Sequence, residues 1–478
     1  MLTVSSDGAD PITISCNSGK VRVNGDDLTA DCSAIGSIVV NGGPGANTIN
    51  LAGVTAAAFT TLTSTTIDAG DLNDSITGSE RDDTIIWNPG DDDDTNDGGA
   101  GTDTIQVNGG GGPEQFTAKP SVTPGFQVRF DRTAPAANPA PFNIEIVNAE
   151  RLDMNTGGGD DGFTADGGLD ALGFKLDVSG GDGNDILVGD DGADTIAGDA
   201  GNDTITADDN PVGTRDVALG GDGDDKMIWN GGDDDDINEG GTGNDVSEVN
   251  GATADEIFTI KPSPTAGRVL FDRLATPGPG PFSIDIGTTE TLHLLANAGN
   301  DRIKGSKGVD GRIRTILDAG EGNDRIRGTD AIDAISAGAG HDIVNSIDRA
   351  EDTVSCDAGI DLAFVDRLDF LRQCELVIGG IPRVAFKGAP QLDGNSVAVR
   401  LECVATAKCK SVVKLKRGGK SLGKGKATLK RGATKEVEVA LNRRGRRVLS
   451  DGDRVKVQVV SKDKRGNGWR TAKTVRLG

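Results

Sequence analysis

The chain has 478 residues, 75 of them acidic and 49 basic, with 71 Gly, 17 Pro, 6 Cys, 13 Phe, 3 Trp, 2 His and no Tyr. With 35% hydrophobic and 3% aromatic residues it cannot fill a wide aromatic core, and its Gly stands beside Asp and Asn without a collagen triplet, so stereotyped turns must be numerous. No apolar run approaches the roughly 18 residues of a membrane span, and residues 1 to 15 lack the charged-then-apolar profile of a signal peptide.

The net charge of −26 is spread unevenly. From Ile381 to Gly478 there are 26 basic and 7 acidic residues, net +19, so the other 23 basic and 68 acidic residues carry −45. A segment of that charge repels itself on compaction and stays disordered unless cations neutralise it. Its regular Leu, Ile and Val spacing argues against disorder and therefore for bound metal.

In chain order, residues 1–66 read as an N-terminal β cap with degenerate repeats. There GGPGANTIN, from Gly42, carries Asn47 where later units carry Asp, and no strong metal site is expected. Residues 67–208 and 209–378 read as two copies of one module, the second with an extra C-terminal coil: TIIWNPGDDDD matches MIWNGGDDDD at an offset of 142, and PFNIEI matches PFSIDI at 140. The first copy opens with Asp74, Asp83, Asp94 and Asp103, and the second with Asp225, Asp236 and Asp245. In both, a two-residue insertion at Trp87-Asn88 or Trp229-Asn230 spaces partners by 20 residues, which predicts bulged or weaker sites. Each copy contains an interlude with period-two runs such as FQVRFDR and RVLFDR, expected as longer metal-free rungs or a protruding hairpin. The duplicated Trp residues are expected to pack inside rungs.

The clearest repeats begin at Gly180: GGDGNDILV, GDDGADTIA, GDAGNDTIT. Gly183, Gly192 and Gly201 occupy position four, Asp185, Asp194 and Asp203 position six, and Leu187, Ile196 and Ile205 position eight. A third block carries Asp301, Asp324, Asp333 and Asp342, the last three followed by Ile326, Ile335 and Val344. The pattern resembles the hemolysin-type (RTX) calcium-binding nonapeptide repeat, and the overall layout is similar to secreted repeat proteins of actinobacteria. The resemblance implies a right-handed parallel β-roll or β-solenoid, several Ca²⁺ ions, export, and folding outside the cell.

The residues support the same chemistry. Gly permits positive φ and close backbone approach, so Gly181 and Gly183 form a tight turn whose carbonyls point inward, while each following triplet is a minimal strand burying one aliphatic side chain. Two units make an 18-residue coil, which stacks Asp185 over Asp203 to flank one ion. With turn carbonyls such a pair supplies the six to eight hard oxygens that Ca²⁺ takes.

The cysteines fall into three sequence-local pairs, Cys16/Cys32, Cys356/Cys374 and Cys403/Cys409, among the fifteen connectivities six Cys allow. The middle pair is 18 residues apart, one coil. Beyond Cys374, residues 381–478 hold about seven short alternating runs, the pattern of an immunoglobulin-like β-sandwich. Their basic clusters, including RRGRR at 443 to 447, are a solvated face, a site for an anionic cell-wall or extracellular polymer, or a surface for the chain's own acidic roll. No aromatic interleaving suggests nucleic acid.

HExxH, GxSxG and P-loop motifs are absent, so no catalytic residue is assigned and the chain is not expected to be an enzyme. The sequence thus predicts an extracellular, calcium-binding, disulfide-bonded protein with a structural or adhesive role at the cell surface. The alternatives are a β-helix enzyme of epimerase or lyase type acting on polysaccharide, and a polymer-binding module.

Overall fold

The computed structural model describes residues 1–478 except 134–140, 208–214, 231–234, 275–279, 367, 375, 379–383, 387–389, 404–408, 431, 451–452, 463–467 and 478, and except the side chains of 384–386, 460–462 and 468–475. The chain forms two compact units, Met1–Ile316 and Leu317–Gly478.

In the first unit the nine-residue period becomes half a coil. Ile186–Val188, Thr204–Thr206 and Lys226–Trp229 stack in parallel on a first ladder, and Lys175–Ser179, Thr195–Ala200 and Val217–Asp222 on a second. The chain changes ladder at every turn. Because side chains alternate along a strand, the middle residue of each triplet points inward. Leu187 pairs with Ile205 and Val178 with Ile196, and the four belong to one buried core. A core built one aliphatic residue per half-coil needs few aromatics, which accounts for the 3% aromatic content.

The two-residue insertions lengthen strands. Asp83–Trp87 and Lys226–Trp229 each end on an inward Trp, and both Trp87 and Trp229 are fully buried. Trp87 stacks on Phe142 at 3.8 Å and Trp229 on Phe282 at 3.7 Å.

The interludes join the ladders as antiparallel meanders. Gln115–Pro120, Val128–Arg132 and Phe142–Val147 pair with one another, and their outer strands pair in parallel with Gly162–Ala165 and Asp94–Asp97. Ile257–Pro262, Val269–Arg273 and Phe282–Gly287 repeat the arrangement between Arg302–Gly305 and Asp236–Thr242. Of the two expectations for these segments, the described strands are rungs. The first meander lies in the first ladder and the second in the second, because one module contains an odd number of ladder changes.

At the N-terminus, Ile12–Asn17, Lys20–Val23 and Asp26–Asp31 form an antiparallel meander whose first strand pairs in parallel with Thr48–Gly53. It occupies a ladder edge that would otherwise offer unpaired N–H and C=O groups. Cys16 and Cys32 are bonded across it, with Cα atoms 6.1 Å apart.

The second unit has the same coil pattern, with shorter strands. Arg325–Arg327, Ile343–Asn345, Leu362–Phe364 and Leu376–Ile378 form one parallel series. Asp333–Ser336, Thr353–Ser355 and Phe370–Arg372 form the other. Cys356 and Cys374 follow the paired residues Ser355 and Arg372 and are bonded, with Cα atoms 5.0 Å apart.

Eight further strands, from Val384–Phe386 to Gly468–Arg476, are antiparallel. The sequence pattern predicts a two-sheet sandwich here; the described strands are linked by pairing into one eight-stranded set, with Gln391–Asp393 branching off the main path onto Ser396–Cys403. Lys420–Leu429 is ten residues long and explains the link, since it pairs with Cys409–Arg417 along its length and with Thr434–Leu441 through Gly423 and Lys424. Val397, Val399 and Leu401 share one core with Val413, Leu415, Val457 and Val459, and Cys403 is bonded to Cys409.

Candidate metal centre

Parallel stacking places every position-six residue beside its counterpart one coil away. Along the columns, a carboxylate typically accepts, through one oxygen, the backbone N–H of the residue one coil earlier. On the first ladder, the N–H groups of Asp161, Asp185, Asp203 and Asp225 donate to Oδ1 of Asp185, Asp203, Asp225 and Asp245 at 2.7, 2.8, 2.9 and 2.9 Å. On the second, Asp194 donates to Asp216 at 2.7 Å, Asp216 to Asp236 at 3.4 Å, and Glu256 to Asp301 at 2.8 Å. In the first module Asp74 donates to Asp94 and Asp83 to Asp103, both at 2.8 Å. In the second unit Asp324 donates to Asp342 at 2.8 Å and Asp333 to Asp352 at 2.9 Å. Pairs 18 and 20 residues apart therefore share one hydrogen-bond geometry.

What separates the sites is the other oxygen. Oδ2 of Asp74, Asp103, Asp161, Asp185, Asp203, Asp225, Asp245 and Asp342 is sealed from solvent with no hydrogen-bond partner. A buried carboxylate oxygen left in this way is costly unless a cation or proton meets it. The glycines leave it room: a Cβ on Gly180, Gly198, Gly220 or Gly240 would lie 2.3–2.5 Å from Oδ2 of Asp185, Asp203, Asp225 or Asp245. At position four, Gly183 (φ 144°) and Gly201 (φ 148°) stack so closely that a Cβ on Gly201 would meet the Gly183 carbonyl oxygen at 1.4 Å. Gly181 has φ 85°. Gly192 shows no such constraint, because Asp190 folds into its turn and donates its N–H to Asp194 Oδ2 at 3.1 Å.

Where the carboxylate is missing or filled, a protein group takes the cation's place. The Asn47 carboxamide donates to the carbonyls of Gly43, Gly45 and Ala69, so turn carbonyls converge on the position-six side chain. Asp83 accepts both N–H and hydroxyl of Ser79. In the interludes Glu114 and Glu256 occupy the Asp column, and buried guanidinium groups neutralise them: Arg132 to Glu114 at 2.9 Å and Arg273 to Glu256 at 3.1 Å.

Burial drives the ladder carboxyls above the ordinary carboxylate range, and neighbouring carboxylates add to it. Asp94 and Asp352 rise to about 8, Asp74, Asp103, Asp161, Asp194 and Asp203 to about 7, and Asp245 and Asp342 to about 6. A hard divalent cation removes this conflict by supplying charge where desolvation opposes it. The donor set is all oxygen, which fits Ca²⁺.

Sequence reading missed several ladder members. Glu150 and Glu290 accept the N–H of Asp103 and Asp245 at 2.8 and 2.9 Å, and Asp361 that of Asp342 at 2.9 Å. The signal was present as an acid two residues before a buried apolar residue: Glu114/Phe116, Glu150/Leu152, Glu256/Phe258, Glu290/Leu292. A second, exposed ladder at position five was also missed. In it the N–H groups of Asn202, Asp224 and Asn244 donate to Asn184, Asn202 and Asp224 at 2.7–2.9 Å. Of the acidic run before Asp236, residues 233 and 234 lie outside the described residues.

Two facing parallel ladders with carboxylates and glycine turns at their edges define a calcium-binding β-roll. The RTX calcium-binding nonapeptide repeat occurs here in four copies, matched at residues 179–210, 293–310 and 318–346, and these repeats bind Ca²⁺. No curated protein matches the chain. No described helix is long and apolar enough to cross a membrane.

Occupancy of the second oxygen predicts which columns hold ions. Asp203→Ala is expected to lower the calcium stoichiometry in a calorimetric titration, whereas Asp83→Ala, at a carboxylate already filled by Ser79, should leave it unchanged. Equal losses would show that donor occupancy does not decide which columns hold ions.

Proposed function

We propose that the protein is an extracellular structural or adhesive component that folds when calcium reaches its roll and attaches through its basic C-terminal region. The supporting observation is the paired charge distribution: a −45 segment built around unfilled carboxylate columns, followed by +19 in residues 381–478. Three disulfides fit an oxidising compartment. In the cell a roll of this kind remains without its ions, and outside, at millimolar calcium, it becomes rigid. Arg443, Arg444, Arg446 and Arg447 are exposed on and beside a short helix, and this cluster is the candidate contact for an anionic wall or matrix polymer.

The full chain, loaded with calcium, should be retained on anionic wall polymers, with affinity falling steeply between about 50 and 200 mM salt, since screening acts over about 10 Å. Reversal of the four arginines to Glu should abolish retention while leaving calcium binding intact. Scoring degradation of the same glycans separates attachment from a polysaccharide enzyme. Retention that ignores both salt and the reversals, or its absence on every fraction, would refute the attachment role.

A further inference from the structure

The second unit holds an acidic group whose geometry differs from the glycine turns. Asp333 and Asp352 are ladder neighbours. Asp348 stands four residues before Asp352, where Gly181 stands before Asp185 in the clean repeat. The matched repeats end at residue 346, short of both Asp348 and Asp352. One carboxylate oxygen from each of Asp333, Asp348 and Asp352 lies within 4.8 Å of the others, the one such convergence of three acidic side chains among the described residues.

Two of the three carboxylates are fixed through one oxygen and unfilled at the other. Asp352 is 1% exposed; its Oδ1 accepts the Asp333 N–H at 2.9 Å, and its Oδ2 is buried with no hydrogen-bond partner. Asp348 accepts the Ala350 N–H through Oδ1 at 2.6 Å, and its Oδ2 is likewise sealed and without a partner. Asp333 is held by the N–H and hydroxyl of Thr329, both at 2.8 Å. In the loops before Asp83 and Asp333 the residue four positions ahead is Ser79 or Thr329, whose hydroxyl donates to the carboxylate and leaves Asp333 lone pairs to spare. At Asp352 that residue is Asp348, which can donate nothing when ionised and instead adds a third negative charge.

We infer that Asp333, Asp348 and Asp352 form a metal site built from three side chains, separate from the glycine turns, which takes a hard divalent cation. Three carboxylate oxygens with no nitrogen or sulfur among them select Ca²⁺ over softer metals, and water completes the six to eight ligands such an ion carries. A glycine turn uses main-chain carbonyls at this place. Here side-chain charge takes that role, and Asp352 immediately precedes Thr353–Ser355, the strand that Cys356 follows.

The test counts ions in the full chain. Calcium bound per chain is measured by equilibrium dialysis for the wild type, for Asp348→Asn, and for Asp348→Ser, which installs the hydroxyl that stands ahead of Asp83. Both variants should bind one ion fewer than the wild type while calcium still induces the same β spectrum, because Asp348 takes no part in the carboxylate ladder. An unchanged count in either folded variant would overturn the site. A wild type that binds calcium only at columns lost through Asp203→Ala, with no ion sensitive to Asp348, would overturn it too and leave the glycine-turn sites standing.

Discussion

Stripped of calcium at pH 7.5, the roll should lose its β structure, and acidification to about pH 4.5 in the same chelator should restore it. The direction follows from the ladder carboxyls, which burial raises to about 6–8 in the folded, metal-free chain, against about 3.9 for an unfolded Asp. Between about pH 4 and pH 8 the folded state therefore binds protons that the unfolded chain has released. The stability these groups contribute is complete below about pH 4 and is lost as pH climbs through the folded values. This is the reverse of a salt-bridged carboxylate. Calcium replaces the protons at neutral pH, so its binding releases protons and its affinity falls on acidification. Circular dichroism with chelator across pH, then with millimolar calcium, checks this, and the buried Trp87 and Trp229 provide a fluorescence signal from inside the roll. A spectrum that chelation at pH 7.5 leaves untouched would refute calcium-driven folding; a metal-free roll that gains stability as pH rises from 4 to 8 would refute the proton account.

The second large effect concerns the rungs that use arginine in place of a metal. Arg132→Met should destabilise the calcium-loaded protein by about 3–5 kcal/mol, because it leaves the buried Glu114 carboxylate uncompensated. The guanidinium also lies 5.2 Å from the Trp87 ring centroid and 4.7 Å from that of Phe142, contacts worth roughly a further 0.5–2 kcal/mol. Arg273→Met should behave alike at Glu256, Trp229 and Phe282. The double change Glu114→Gln with Arg132→Met should recover most of the loss, since a neutral amide needs no counter-charge. Urea unfolding at saturating calcium measures these differences, and calcium stoichiometry should stay constant throughout. A single-variant loss below about 1 kcal/mol, within the range of an exposed ion pair, would contradict the reading.

The roll was legible wherever the spacing of its residues maps directly onto coils. Asp185, Asp194 and Asp203 and their aliphatic partners sit nine residues apart, half a coil, so sequence distance and spatial stacking coincide. That correspondence fails at Glu114 and Asp161, ladder neighbours 47 residues apart, because a meander intervenes. It also fails for the function of individual loops: Asp83 looks equivalent to Asp203 in phase, yet one hydroxyl, on Ser79, fills the first and not the second. Period-two runs identified the interludes as strands, but alternation gives a strand's faces and not its neighbours, and their placement within the ladders is set by pairing with strands remote in sequence. The basic region shows the same limit, since alternating runs located its strands without fixing how they pair.

The exchange of ladders between the two meanders has a consequence for how one chain meets its surroundings. A half-integral number of coils per module turns the second copy by half a revolution about the roll axis, as successive treads of a screw stair face opposite walls. Any partner that recognises the first meander, Gln115–Val147, would find its duplicate, Ile257–Gly287, on the reverse side. Duplication has therefore produced a two-sided object from a one-sided one, with the same three-stranded pattern presented once on each ladder.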